Sequence, residues 1–273
     1  MDYQTFKPHP DFESFIKCYW TLEVPGDPVP EKQRILPDGC VELIFTLADD
    51  IKRYTSEEDF IIQPRAMVLG QISEPFFIEP TGVVNTFAAR FYPSGFAPFT
   101  EVAINDFANK ETPITSVFEE EIAKDLESRI VNATGTRERI QIVEEFLSVQ
   151  MRDADVIDTI LKSTIDTILL TKGRVAINEI LKDELPRRRQ LERKFSQRVG
   201  ISPKQLGRII RLQETLKMLL NRRTGNLTEV AYENEYFDQS HFIRDFKEFT
   251  GVNPKEFYKD TTLALSSLIY STD

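Results

Sequence analysis

Histidine and cysteine are almost absent: 273 residues carry two of each, His9 and His241, Cys18 and Cys40. Two thiols cannot make a four-thiolate zinc site. In a reducing compartment they are not expected to join as a disulfide either, so each reads as a small buried hydrophobe. There is no Ser-His-Asp or Cys-His arrangement and no glycine-rich phosphate loop. No metal, no cofactor and no enzymatic activity are therefore expected. A run of 18 apolar residues is also missing, so no membrane span is expected. The opening MDYQTFKPHPDF lacks the basic-then-apolar pattern of a secretory signal, and a cytoplasmic location follows as an expectation.

What is present fits two soluble domains. The length allows two separate cores, and 41% hydrophobic with 29% charged residues is ordinary for a globular chain. The formal net charge of −10 by itself argues against nucleic acid, but it is unevenly spread. Residues 172–260 hold 19 Lys+Arg against 13 Asp+Glu, a balance of +6, and the remainder holds 15 against 31, a balance of −16. A basic C-terminal part behind an acidic N-terminal part is the asymmetry of a DNA reader fused to another module.

The basic part contains an internal repeat. Shifting residues 190–206 by 51 positions places Leu191 on Phe242, Arg193 on Arg244, Phe195 on Phe246, Gly200 on Gly251 and Pro203 on Pro254. A second match lies upstream, Glu179-Ile180 on Glu229-Val230, at a shift of 50. Such a period marks a duplicated supersecondary unit. Each copy reads as helix, turn, helix. In the first, Val175–Asp183 forms one helix and Pro186 interrupts it. The next helix, from about Arg187, buries Leu191, Phe195 and Val199 on one face. Gly200 sits where a left-handed C-cap belongs, Ser202 is a natural N-cap, and Pro203 suits the first helical position. Gly251, Asn253 and Pro254 repeat that punctuation. A helix from Pro203 to about Leu220 should link the two units.

On these residues the chain resembles AraC-type (AraC/XylS) transcription regulators. The resemblance is carried by Ser202-Pro203, Arg211-Leu212, Ala231, Asp238-Gln239-Ser240-His241-Phe242, Arg244, Phe246-Lys247, Gly251 and Pro254, and it covers about Gly173 to Lys259. The family usually has a Gly-Phe pair in the turn before the second recognition helix; this chain has Glu235-Tyr236 there. In the first unit the matching positions are Leu185 and Pro186. The resemblance implies duplex DNA as partner, with a recognition helix from each unit in the major groove. The groove-facing residues would be Arg187, Arg188, Arg189, Glu192 and Arg193 in the first helix, and Gln239, Ser240, Ile243 and Arg244 in the second. Arginine suits guanine, glutamine suits adenine, and isoleucine can touch a thymine methyl. Lys194, Lys204, Lys247 and Lys255 are candidate phosphate contacts.

The N-terminal part reads as several short strands. Asp11–Val24 is expected to run from a helix (Phe12, Phe15, Ile16, Tyr19) into a strand. Pro37-Asp38-Gly39 reads as a turn, and Val41–Leu47 as a strand with one dry face, since Val41, Leu43, Phe45 and Leu47 alternate with Glu42, Ile44 and Thr46. Ala66–Leu69, Phe76–Glu79 and Val83–Phe91 read as further strands. The fold class expected is α+β: a small β-barrel, then an all-α domain with two helix-turn-helix units. Residues 1–110 form the barrel and 111–153 a helical connector or dimerisation segment. Residues 154–260 form the DNA-binding part, and 261–273 a mildly apolar tail without an assigned role.

The barrel also resembles the N-terminal domain of one AraC-type subgroup. Arg34, Leu36-Pro37-Asp38-Gly39, Glu42-Leu43, Pro64-Arg65, Gly70-Gln71, Pro80, Gly82, Phe91, Pro93 and Gly95 carry that resemblance, which implies a cupin-like sensory or regulatory domain. A metal-dependent cupin needs a cluster of histidines with a carboxylate, which two histidines cannot supply. Arg34, Asp38, Glu42 and Arg90 are the candidate ligand-binding residues, and a structural ion pair is the alternative for Glu42 and Arg90. Three functional readings stay open at this point. The barrel senses a small-molecule effector, or it only forms a homodimer or meets RNA polymerase. A DNA-linked enzyme such as an alkyl-repair protein is the third, although it wants an activated cysteine on zinc.

Overall fold

The computed structural model describes every residue except 27–30, 153–158, 181–187, 223–226, 235, 237 and 273. Among the described residues the chain first builds ten strands in two antiparallel sheets. They are β1 (Asp2–Phe6), β2 (Ile16–Val24), β3 (Gln33–Ile35), β4 (Val41–Thr46), β5 (Ile51–Tyr54), β6 (Phe60–Ile62), β7 (Ala66–Leu69), β8 (Phe76–Pro80), β9 (Val84–Phe91) and β10 (Glu111–Pro113). One sheet has the order β1-β2-β9-β4-β7-β10 and the other β3-β8-β5-β6. Among the described residues the helices are α1 (Glu120–Asn132), α2 (Thr136–Gln150), α3 (Thr159–Leu170), α4 (Ile177–Ile180), α5 (Arg188–Val199), α6 (Pro203–Arg222), α7 (Leu227–Glu233), α8 (Gln239–Thr250) and α9 (Ala264–Thr272). None of the described helices is long and apolar enough to cross a membrane.

The six-stranded sheet is covered on both faces, and this accounts for its composition. On its outer face Tyr19, Leu43, Phe45, Phe87 and Phe91 join one core with Leu126 and Ile130 of α1 and Val143 and Leu147 of α2. On its inner face Trp20, Leu22, Ile44, Met67, Leu69 and Val84 join a second core with Phe76 of the other sheet and Leu265 of α9. A strand covered on both sides has no wet face. All six residues of β4, Glu42 and Thr46 included, are buried, which corrects the expectation of one dry face.

The expected helix between Asp11 and Tyr19 is not formed. A short 3-10 turn at Pro10–Phe12 is followed directly by β2 from Ile16. Phe12, Ile16 and Tyr19 are nevertheless all buried in the outer core. A turn that feeds a strand puts those side chains inward as well as a helix would, so their spacing misled.

A third core belongs to the C-terminal helices. Leu161, Ile165 and Ile168 of α3 pack with Leu191, Phe195 and Val199 of α5, with Leu206, Ile209, Leu212, Leu216 and Leu219 of α6, and with Phe242, Phe246 and Phe249 of α8. Leu36 of the barrel joins this core, so the two halves of the chain share buried surface. The 261–273 tail also has a place: its helix α9 lies against β3 and α6.

Candidate functional site

The repeat appears as two helical units, α4 with α5 and α7 with α8, joined by the unbroken α6. Helix α8 begins with Asp238, whose side chain accepts a hydrogen bond from His241 N at 2.7 Å, and ends at Gly251 with φ 77°. That left-handed angle closes the helix without the Cβ clash another residue would bring. Gly200 does the same for α5 with φ 95°. Helix α6 opens with a reciprocal capping pair: Gln205 N donates to Ser202 Oγ, and Ser202 N to Gln205 Oε1, both at 3.2 Å. Arg208 of α6 reaches α8, with Nη2 at 3.0 Å from Asp245 Oδ1 and 2.6 Å from Glu248 Oε2. Asp245 is buried, and His241 Nε2 lies 3.5 Å from it. The turn position Tyr236 is buried, with its ring packed against Phe242 and over it the Arg211 guanidinium at 4.7 Å. Burial pushes its phenol up to about 12.

The two units present equivalent faces. With Leu191, Phe195 and Val199 turned inward, α5 turns Arg189, Glu192 and Arg193 to solvent and holds Arg188 half-buried, its Nε 3.0 Å from Glu192 Oε1. With Phe242 and Phe246 inward, α8 exposes Gln239, Ser240 and Arg244 and half-buries Ile243. Positions 188, 189, 192 and 193 correspond to 239, 240, 243 and 244 in the repeat. Lys204, Lys247 and Lys255 are exposed and Lys194 is half-buried. Arg187 lies outside the described residues. The result is a pair of amphipathic helices whose outer faces carry arginine, glutamine and hydroxyl groups suited to base edges and phosphates.

Residues 187–260 match the family described as a helix-turn-helix domain. They are an AraC-type helix-turn-helix domain. The chain is accordingly a DNA-binding transcription regulator. Residues 4–113 match a family described as a domain of unknown function (DUF6597). Among solved structures, ToxT from Vibrio cholerae is similar to this chain at 15% identity, over 90% of this chain and 98% of ToxT, with a TM-score of 0.48. ToxT from Vibrio cholerae O395 gives 13% identity over 93% and 96%, with a TM-score of 0.43. A fatty-acid-bound ToxT gives 11% over 86% and 96%, with a TM-score of 0.39. No curated protein matches the sequence.

The regulator's barrel contains a cavity of about 290 Å³ between its two sheets, near the lower end of the range for small-ligand sites. Its walls are mostly apolar, from Trp20, Leu22, Ile44, Met67, Phe76 and Ile78. Helix α9 completes one side with Leu265, Ser266 and Ile269. Three of the four candidate ligand residues border the cavity: Asp38, Glu42 and Arg90. They also touch one another, with Arg90 Nε 2.6 Å from Glu42 Oε1 and 3.5 Å from Asp38 Oδ2. Trp20 Nε1 donates to the same Glu42 oxygen at 3.1 Å. Burial raises the Glu42 carboxyl above its usual range, opposed by the Arg90 charge. Cys40 borders the same end, and burial holds its thiol well above the ordinary value; such a thiol is inert.

The fourth candidate, Arg34, stands elsewhere. It sits outside the cavity lining, at the seam between barrel and DNA-binding domain. Its Nη1 donates to Thr250 O at the end of α8 at 2.7 Å, and its Nη2 lies 3.1 Å from Asp260 Oδ2. The seam continues through Ser266 Oγ, which donates to Arg34 O at 2.6 Å, and Leu265 N, which donates to Gln33 Oε1 at 3.1 Å. On α6, Gln213 Nε2 donates to Pro37 O at 2.8 Å. Sequence reading missed Leu265, Ser266 and Ile269. Their partners lie some 230 residues away, and nine mildly apolar residues carry no signal of what they cover.

Proposed function

We propose that α5 and α8 enter major grooves of duplex DNA and that a small molecule in the barrel cavity controls this binding. In this reading Arg188, Arg189, Glu192 and Arg193 of α5 and Gln239, Ser240, Ile243 and Arg244 of α8 face the bases, while Lys194, Lys204 and Lys247 hold phosphates. Arg244 matches Arg193 in the repeat and is exposed on its helix, which supports a base-reading role for the pair. Arg244→Ala should cost about 1–3 kcal/mol on the preferred duplex and much less on random duplex. Titration of both duplexes at one salt concentration checks this; equal losses would make Arg244 a phosphate contact.

One observation carries the control. Helix α9 lines the cavity and also packs against α6, the helix that joins the two DNA-reading units. A molecule that displaces Leu265 or Ile269 therefore pushes on the DNA-binding domain directly. The neutral fluorophore N-phenyl-1-naphthylamine, bright in apolar surroundings, serves as a probe. It should bind the full chain and change affinity for the preferred duplex several-fold. Truncation after Leu263 should weaken probe binding at least ~10-fold and make DNA affinity indifferent to the probe, because one wall and the mechanical link go together. An identical response from the truncated chain would refute the link. This reading is of a cytoplasmic regulator without catalysis. It calls for RNA polymerase as downstream partner and allows a second copy of the chain.

A further inference from the structure

The cavity's polar groups state what kind of molecule suits it. Among the described residues the charged side chains that line it are Glu31, Asp38 and Glu42, which are acidic, and Arg90, which is basic; the amino-terminal Met1 also borders it. Arg90 is already shared between two of those carboxyl groups, at 2.6 Å and 3.5 Å, so it is not free to pair with a third. A ligand carboxylate would bring a further negative charge into a water-poor space, where like charges repel far more strongly than in water. An ammonium group would relieve the excess instead.

A second polar feature lies at the other end. Glu42, Ile44 and Thr46 alternate along β4 and all face the cavity. Four residues of strand, at about 3.3 Å each, put Thr46 ~13 Å from Glu42. Thr46 is buried, and its Oγ1 has no hydrogen-bond partner among the described residues. A buried hydroxyl without a partner is costly, and a bound molecule can satisfy it. Between the two ends the surface is apolar, with Ile44 of β4 and Met67 of β7 opposite each other.

We infer that the cavity selects an elongated apolar amine, with its ammonium at Asp38 and Glu42 and its body running toward Thr46, and discriminates against carboxylates. The inference rests on the reading that this cavity is the effector site. Three eight-carbon molecules of matched shape test it on the full chain near neutral pH, by displacement of N-phenyl-1-naphthylamine. Octylammonium should displace the probe at a concentration at least ~10-fold lower than octanoate, with 1-octanol between them. Glu42→Gln should narrow the gap between amine and carboxylate at least ~3-fold. Asp38→Asn, at a half-exposed position, should do the same should the buried change unfold the barrel. Octanoate equal to or better than octylammonium on the wild-type chain would overturn the ligand class and leave the effector site standing. A chain that does not bind the probe at all would overturn the effector site and the ligand class together.

Discussion

Phe246→Ala is expected to destabilise the C-terminal domain by about 3–5 kcal/mol, the range for emptying a buried aromatic position. Phe246 is wholly buried on α8, its ring centroid 5.7 Å from that of Phe242 and 5.5 Å from that of Phe257. Both neighbours meet it edge-on, an arrangement worth about 0.5–1.5 kcal/mol beyond burial. Because natural domains are stable by only about 5–15 kcal/mol, the loss is a large fraction of the total. Urea unfolding should show a lower midpoint at unchanged slope. Phe195 holds the equivalent place on α5 and is also fully buried. Phe195→Ala should cost a similar amount, whereas Phe246→Leu, which keeps most of the volume, should cost under about 1.5 kcal/mol. A midpoint unmoved by Phe246→Ala would mean that the repeat's shared aromatic is not what holds each recognition helix.

The same residues show why this half was legible. The stripe Leu191, Phe195, Val199 and its copy Phe242, Phe246, Thr250 occur at helical spacing, and each copy ends in glycine and proline. Local chemistry alone therefore fixes the helix ends, and the structure puts caps at Gly200, Gly251 and Ser202. The barrel was legible as strands but not as a container. Alternation along β4 tells two faces apart and cannot tell a cavity from solvent, so Glu42 and Thr46 read as wet when they are buried. The short strands β1, β3, β5, β6 and β10 left no readable pattern, because all five are only three to five residues long. Asp38, Glu42 and Arg90 stood out in the sequence as charged groups in or beside apolar strands, and they come together at the edge of the cavity. Arg34 stood out equally and went to the seam instead, because its place depends on Thr250 and Asp260, more than 200 residues away. The fold of α9 depends on equally distant partners.

Inserting five base pairs between the two half-sites should reduce affinity at least ~100-fold, toward the non-specific level. The two recognition helices belong to one chain and cannot choose their spacing. Helix α6 has 20 residues without an interior proline, which at about 1.5 Å per residue gives a rod of ~30 Å. It is fixed at several points along its length. Leu206, Ile209, Leu212, Leu216 and Leu219 are fully buried in the shared core. Arg208 ties it to Asp245 and Glu248 of α8, and Gln213 ties it to the barrel at Pro37. Successive major-groove faces along B-DNA lie ~34 Å apart, so the linker with its flanking helices spans one turn and no more. Five base pairs rotate the second groove by about half a turn, to the far side of the duplex. Ten base pairs bring it back to the near face but a full turn further away, so that duplex should bind weakly too. The half-sites should also differ in sequence, since the outer face of α5 carries Arg189, Glu192 and Arg193 and that of α8 carries Ser240, Ile243 and Arg244. Fluorescence anisotropy on the native, +5 and +10 duplexes at one salt concentration decides it. Equal affinity for the native and +5 sites would show that α6 bends or that only one unit reads DNA. The Arg193→Ala and Arg244→Ala variants then separate these, because a single reading unit leaves one of the two substitutions silent.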